Sequence, residues 1–306
     1  MASLWMLYAS FAFAAMGAGV KLASEFYSTS ELLMYRGLIG SVILLLMVRR
    51  QGGTFKTDFG KAHLWRSLVG VTSLWLWFFA IGRLPLATAM TLNYMAPIWI
   101  AAGMFAMGWW TRTKHAEWPL VVAIASSFFG VTMVLQPAVE SEQWLGGLAG
   151  VCSSMISAMA YMQVRKLGQL GEPEYRVVFY FSLTTTLVGL AATVAGDGPQ
   201  GALFHAHTMY GALLLLGIGG AALIAQMCMT RAYRVGKVLV VANLQYTGIV
   251  FSTLWGLILW GDAFDWHVWL GIGVILLSGL AATFYNTRKT ARGAVVKDQD
   301  PVVSES

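Results

Sequence analysis

Long apolar runs, broken by short loops with the positive charge confined to every second loop, decide what this chain can fold into. Of its 20 Lys and Arg residues, all but three lie in one set of loops. These are Arg49, Arg50, Lys56, Lys61 and Arg66; Arg112 and Lys114; Arg165, Lys166 and Arg176; Arg231, Arg234 and Lys237; and Arg288, Lys289, Arg292 and Lys297 after the last run. The alternate loops hold only Lys21 and Arg83, and Arg36 falls inside a run. Lys and Arg resist translocation across a bilayer, so loops rich in them stay cytoplasmic. The register that satisfies every loop has ten spans, with both termini cytoplasmic.

The rest of the sequence agrees with a lipid environment. Charged residues make up 11% and hydrophobic residues 58%, against about 25% charged in a soluble domain. The pI of 9.4 does not imply nucleic acid, because the basic residues punctuate apolar runs and form no patch. Cys152 and Cys228 each lie within an apolar run and imply no disulfide framework or metal site. No basic residue precedes Lys21, so the first run reads as a retained helix and not a cleaved leader.

Helices are expected at Leu4–Leu22, Leu32–Val48, Leu64–Gly82, Leu86–Trp109, Trp118–Leu135, Leu145–Val164, Tyr175–Ala195, Met209–Tyr233, Val238–Trp260 and Trp266–Tyr285. Each is near the roughly 20 residues that cross a hydrocarbon core. Trp and Tyr gather at their ends, where amphipathic rings meet the headgroups. Arg83-Leu84-Pro85 predicts a tight turn. The polar residues from 289 to 306 predict a disordered cytoplasmic tail. Small residues at Ser126-x-x-x-Gly130 and Gly146-x-x-x-Gly150 allow close helix packing, either within the chain or at a homodimer interface on the fifth or tenth helix.

Five spans per half carry a geometric consequence: homologous halves must be inverted relative to each other. A shift of 143 residues lays Met16 on Met159 and Glu31 on Glu174. A shift of 152 lays Ala80 on Ala232, Leu92 on Leu244, Asn93 on Gln245 and Tyr94 on Tyr246. The expected architecture is an all-α integral membrane protein of two inverted five-helix repeats, residues 1–138 and 139–288. Inverted repeats serve alternating access around a site near the midplane.

Two stretches carry a family resemblance: Ala87-Thr88-Ala89-Met90-Thr91-Leu92-Asn93-Tyr94-Met95-Ala96-Pro97-Ile98-Trp99 in the first half, and Leu239–Phe251 followed by Gly261-Asp262 in the second. Over residues 4–285 the chain resembles the drug/metabolite transporter superfamily in its ten-helix form with two EamA-type domains. It departs from that pattern at Trp109-Trp110-Thr111, where an acidic turn is expected, and at Ile249, which stands opposite Pro97. The resemblance implies a secondary transporter for small metabolites. Efflux of amino acids or related compounds is the commonest activity. Uptake of vitamins or nucleoside-like compounds, such as riboflavin or S-adenosylmethionine, also occurs on the fold.

Polar groups deep in a bilayer are costly and need partners or a water-filled cavity. Those expected to bind substrate are Asn93 and Tyr94 in the fourth span, Asn243, Gln245 and Tyr246 at the matching part of the ninth, Gln226 in the eighth and Tyr161 in the sixth. Ser154, Ser157 and Tyr161 share one helical face. Trp99 is a candidate stacking surface, within an aromatic set that includes Trp75, Trp77, Phe78 and Phe79. Pro97 removes a backbone hydrogen bond and is the candidate gating element. Arg36 reads as a partner of Glu31, as a side chain snorkelling to the interface, or as a carboxylate or phosphate anchor.

The same residues bear on other function classes. No phosphate-cradling motif is present, so no cofactor or ATP is expected. A membrane enzyme needs convergent catalytic groups, yet all five His (His63, His115, His205, His207 and His267) fall in loops or at helix ends. A channel needs a ring of like charges or a filter sequence, and neither is visible.

Overall fold

The computed structural model describes residues 2–81, 83, 86–111, 118–135, 144–195, 207–261 and 265–298. Among them every regular element is helical. A 3-10 turn at Ala2–Leu4 leads into α1 (Trp5–Ala23), α2 (Thr29–Arg50), α3 (Gly60–Ile81), α4 (Leu86–Asn93), α5 (Ala96–Thr111) and α6 (Trp118–Leu135). Then come α7 (Trp144–Gln169), α8 (Glu174–Val194), α9 (Met209–Val235), α10 (Val238–Gln245), α11 (Thr247–Trp260) and α12 (Trp266–Asp298). Among the described residues, seven segments are long and apolar enough to cross a membrane: α1, α2, α7, α8, α9, α10 with α11, and Trp266–Tyr285 of α12. The apolar helix Trp118–Val134 is shorter. Large apolar side chains face outward all around, among them Leu46, Phe129, Leu187, Leu213, Ile258 and Leu277. Such a surface is stable against lipid tails and not against water.

Close helix crossings depend on glycine. A Cβ on Gly130 of α6 would stand 2.8 Å from the Gly271 carbonyl oxygen of α12, and one on Gly271 would stand 2.6 Å from that of Gly130. The small-residue face considered for a dimer on the fifth helix is thus occupied inside the chain. Gly37 of α2 lies against the Ser182 carbonyl and Thr186 of α8, while Gly189 of α8 lies against Ser30 and Met34 of α2. Without side chains at the crossing, the backbones approach and dispersion contacts replace the absent hydrophobic drive. The main packing pairs are α1 with α9, α2 with α8, α3 with α7 and α6 with α12. Every pair joins the first half of the chain to the second.

Three elements differ from the sequence reading. The fourth span is two helices, interrupted at Tyr94 and Met95. Pro97 lies in the first turn of α5, so the break falls upstream of it: proline offers no N–H to the carbonyl four residues earlier, which is that of Asn93. The ninth span is also two helices, parted at Tyr246, with no proline near. There the Thr247 hydroxyl donates to the Leu244 carbonyl at 2.7 Å, a local bond that competes with the helical pattern. The Tyr246 N–H tightens onto the Asn243 carbonyl at 3.2 Å. Finally, α12 continues to Asp298, so the described part of the expected disordered tail is helical. The Leu84-Pro85 turn, Arg112, Lys114, His115, His205 and Asp262 lie outside the described residues.

Candidate functional site

The helix interruptions aim polar side chains at a central cavity of about 160 Å3. Asn93 and Tyr94 enter it from the end of α4, and Gln245 from the end of α10. Tyr161 and Ser157 come from α7, Gln226 from α9, Ser73 and Trp77 from α3, and Arg36 from α2. Met6, Met16, Met90 and Met229 supply adaptable apolar wall. Six of the nine residues expected to bind substrate are therefore brought together: Arg36, Asn93, Tyr94, Tyr161, Gln226 and Gln245. No acidic side chain is among the lining residues described.

The other three lie off the cavity. Trp99 donates from Nε1 to the Ser154 hydroxyl at 3.0 Å, tying α5 to α7. Asn243 accepts from the Ser127 hydroxyl at 2.8 Å, which in turn contacts Ser278, so the amide joins α10, α6 and α12. Tyr246 is fully buried, its ring 6.3 Å from that of Tyr94. The Tyr94 hydroxyl itself seats on Gly248, where a Cβ would come within 2.8 Å. Pro97 is buried beside the first interruption.

A hydrogen-bonded chain holds one wall. Tyr233 donates to Gln245 Oε1 at 3.4 Å, and Gln245 Nε2 donates to Tyr161 at 3.3 Å. The Tyr161 and Tyr233 rings stack at 5.4 Å. The Ser73 and Ser157 hydroxyls lie 2.5 Å apart, and Ser153 donates to the Ser73 carbonyl at 2.8 Å. These contacts orient Gln245 and Tyr161 toward the cavity. Gln226 Oε1, in contrast, is buried without a hydrogen-bond partner among the described residues.

Arg36 makes no ion pair with Glu31. That carboxylate caps its own helix, accepting from the Ser28 N–H at 3.0 Å while the Ser28 hydroxyl accepts from the Glu31 N–H. The Arg36 guanidinium lies 5.9 Å from the Phe181 ring centroid. A second cation adjoins it: Arg66, read from the sequence as the end of a basic loop, is well inside α3 and only 3% exposed. Its guanidinium covers the same Phe181 ring at 3.9 Å, and its Nε and Nη1 lack hydrogen-bond partners among the described residues. Neither arginine has a carboxylate partner among the described residues. A buried ion costs several kcal/mol, whereas a cation–π contact returns about 0.5–2 kcal/mol. Phe181 therefore does not offset the burial of two charges.

Polar clasps join the two halves at opposite ends of α2, about 33 Å apart at 1.5 Å per residue. Beside its N-terminus, His207 lies between Tyr27 and Tyr35, its ring nitrogens 3.0 and 2.9 Å from their hydroxyls. Beyond its C-terminus, Glu172 accepts from the Thr57 hydroxyl at 2.7 Å, from His63 at 3.0 Å and from Arg176 at 3.0 and 3.1 Å. Arg176 and Tyr180 also donate to the carbonyls of Thr54 and Phe55. His63 Nδ1 has no partner among the described residues, and Nε2 is the nitrogen that faces Glu172.

No cluster of potential metal ligands occurs among the described residues. The EamA-like transporter family matches residues 1–136 and 144–284. The chain is 29% identical over 262 residues to the pseudopaline exporter CntI of Pseudomonas aeruginosa, covering 86% of this chain and 88% of that protein. It is 27% identical over 299 residues to a riboflavin transporter of Vibrio cholerae, covering 95% of each. A transporter of Helicobacter pylori is 27% identical over 285 residues, covering 90% of this chain and 92% of that one. One solved crystal structure shares the fold with a TM-score of 0.78 at 17% identity, covering 92% of this chain and 98% of the other.

Proposed function

The chain belongs to the EamA-like transporter family, and from that premise we propose a secondary carrier that exports a small polar metabolite bearing a carboxylate. The observation that carries this reading is the central cavity: Arg36 is its cation, amides and phenols surround it, and no described lining residue is acidic. Amino acids and related compounds fit that chemistry. Similarity to an exporter supports the direction.

The proposed mechanism is alternating access by ten spans, arranged as inverted halves with both termini cytoplasmic in a bacterial inner membrane. The packing pairs support the inversion. If each helix is replaced by its counterpart five spans away, α1 with α9 becomes α7 with α3, while α2 with α8 and α6 with α12 map onto themselves. The interruptions at Tyr94 and Tyr246 exchange in the same way. Asn93, Tyr94, Tyr161, Gln226, Gln245 and Arg36 bind substrate in this scheme. Trp99, Asn243 and Tyr246 support the two broken helices, and the break beside Pro97 supplies the gate. The carrier needs neither cofactor nor metal, and catalyses no covalent chemistry.

A second reading, uptake of a planar vitamin, draws on Trp77 and Tyr94, whose rings line the cavity, and on the similarity to a riboflavin transporter. Metabolite profiling of cells and medium separates the two, comparing overexpression with an empty vector. A carboxylated compound enriched outside supports export. Riboflavin depleted from the medium supports the alternative, and an unchanged profile removes both.

A further inference from the structure

Arg66 has a place in the protein that its sequence neighbours conceal. It is buried within α3, has two nitrogens without partners among the described residues, and covers Phe181 at 3.9 Å. Arg36 approaches the same ring at 5.9 Å. The two guanidinium carbons are therefore less than about 10 Å apart. Arg36 also lines both the central cavity and a small neighbouring cleft that includes Phe181, Ser182, Thr185 and Gln226. Phe181, the ring that Arg66 covers, thus walls the cleft beside the central cavity, while Arg66 itself stands behind that ring and lines neither space. Both cations stay charged, since arginine is not deprotonated in proteins. Guanidinium offers a planar fork that matches carboxylate and phosphoryl oxygens.

We infer that Arg36 and Arg66 form one two-cation site around Phe181, and that the transported compound is a dianion carrying either two carboxylates or one phosphoryl group. This rests on the carrier reading above and narrows it. A neutral or singly charged substrate leaves one guanidinium uncompensated, while a dianion neutralises both. Gln226 Oε1, unpartnered at the edge of the cleft, is placed to accept from an N–H or O–H group of the same compound.

The test uses the full chain in lipid nanodiscs, with binding followed by thermal stabilisation and by tryptophan fluorescence from the cavity. The probes are succinate and O-phosphoserine as dianions, butyrate as monoanion and succinamide as neutral counterpart. Succinate or O-phosphoserine is expected to bind at least tenfold more tightly than butyrate, and whichever binds better identifies the acidic group. Arg66→Gln is expected to abolish that tenfold preference while leaving butyrate within about twofold of wild type. Arg66→Lys keeps the charge without the fork, and is expected to retain a reduced preference. If Arg66→Gln does not fold, the wild-type preference and the Arg66→Lys reduction decide the matter. Equal wild-type affinity for succinate, O-phosphoserine and butyrate overturns the inference, as does undiminished preference in a folded Arg66 variant. In either case, loss of butyrate binding in Arg36→Gln leaves the carboxylate carrier standing. A protein that binds none of these anions but does bind riboflavin removes both readings.

Discussion

At the scale of single residues, buried charge and absent side chains carry the most consequence. Arg36→Gln removes the cavity's cation, and transport of a carboxylated substrate is expected to fall at least tenfold at unchanged membrane abundance, measured in proteoliposomes. Gly130→Leu forces a side chain into the Gly271 backbone, because the crossing leaves no room even for a Cβ. Overpacking of this kind costs about 1–3 kcal/mol, so the variant should melt at a lower temperature than wild type in detergent. Glu172 adds a pH dependence. Burial pushes its carboxyl up, but hydrogen bonds from Thr57, His63 and Arg176, with the Arg176 charge, outweigh that and hold it below its ordinary value of 4.5. A depressed carboxyl stabilises the folded contact above its ordinary value, and the contribution is lost as pH falls through the lowered one. Hydrogen-exchange protection factors at residues 54–57, corrected for the intrinsic pH dependence of amide exchange, should therefore be unchanged between pH 7 and 5 and should fall below about pH 4.5. Glu172→Gln should remove the transition and leave protection low at every pH.

At the scale of elements, the apolar runs and their loops were legible because lipid demands long uninterrupted helices and charge forbids most of them from shifting register. The interruptions were legible only in part. Pro97 announces the break at Tyr94, since a missing N–H is written in the residue type. Nothing comparable announces the break at Tyr246, where an ordinary threonine hydroxyl takes the Leu244 carbonyl. Arg66 was misread for a similar reason. It groups with Arg49, Arg50, Lys56 and Lys61, although it falls two residues inside the expected helix Leu64–Gly82, and sequence alone does not mark that α3 begins a turn earlier, at Gly60. Asn243 and Gln245 are two residues apart and chemically alike. Only packing against Ser127 turns one to the bundle and leaves the other in the cavity. If the two breaks act as gate elements, Pro97→Ala combined with Thr247→Val should slow turnover severalfold while substrate affinity stays within about twofold. A comparable loss of affinity, measured by equilibrium binding, would instead assign these residues to the cavity wall.

At the scale of the whole molecule, each half packs mainly on the other and not on itself. Neither half is expected to fold alone, so co-expressed fragments 1–138 and 139–306 should reconstitute a carrier that single fragments do not. Recovery of a folded, monodisperse first half by itself would contradict this packing scheme. The clasps at the two ends of α2 have a different bearing. Both join the same pair of halves through neutral or charge-assisted hydrogen bonds, one centred on His207 and the other on Glu172. In the alternating carrier proposed above, the difference between their strengths would bias which mouth rests open. A difference of about 1.4 kcal/mol is a tenfold bias, the size of one hydrogen bond to a charged group. The preferred resting face is thus a small, adjustable quantity at the rim, which evolution can reverse by one substitution far from the cavity without redesigning what is carried.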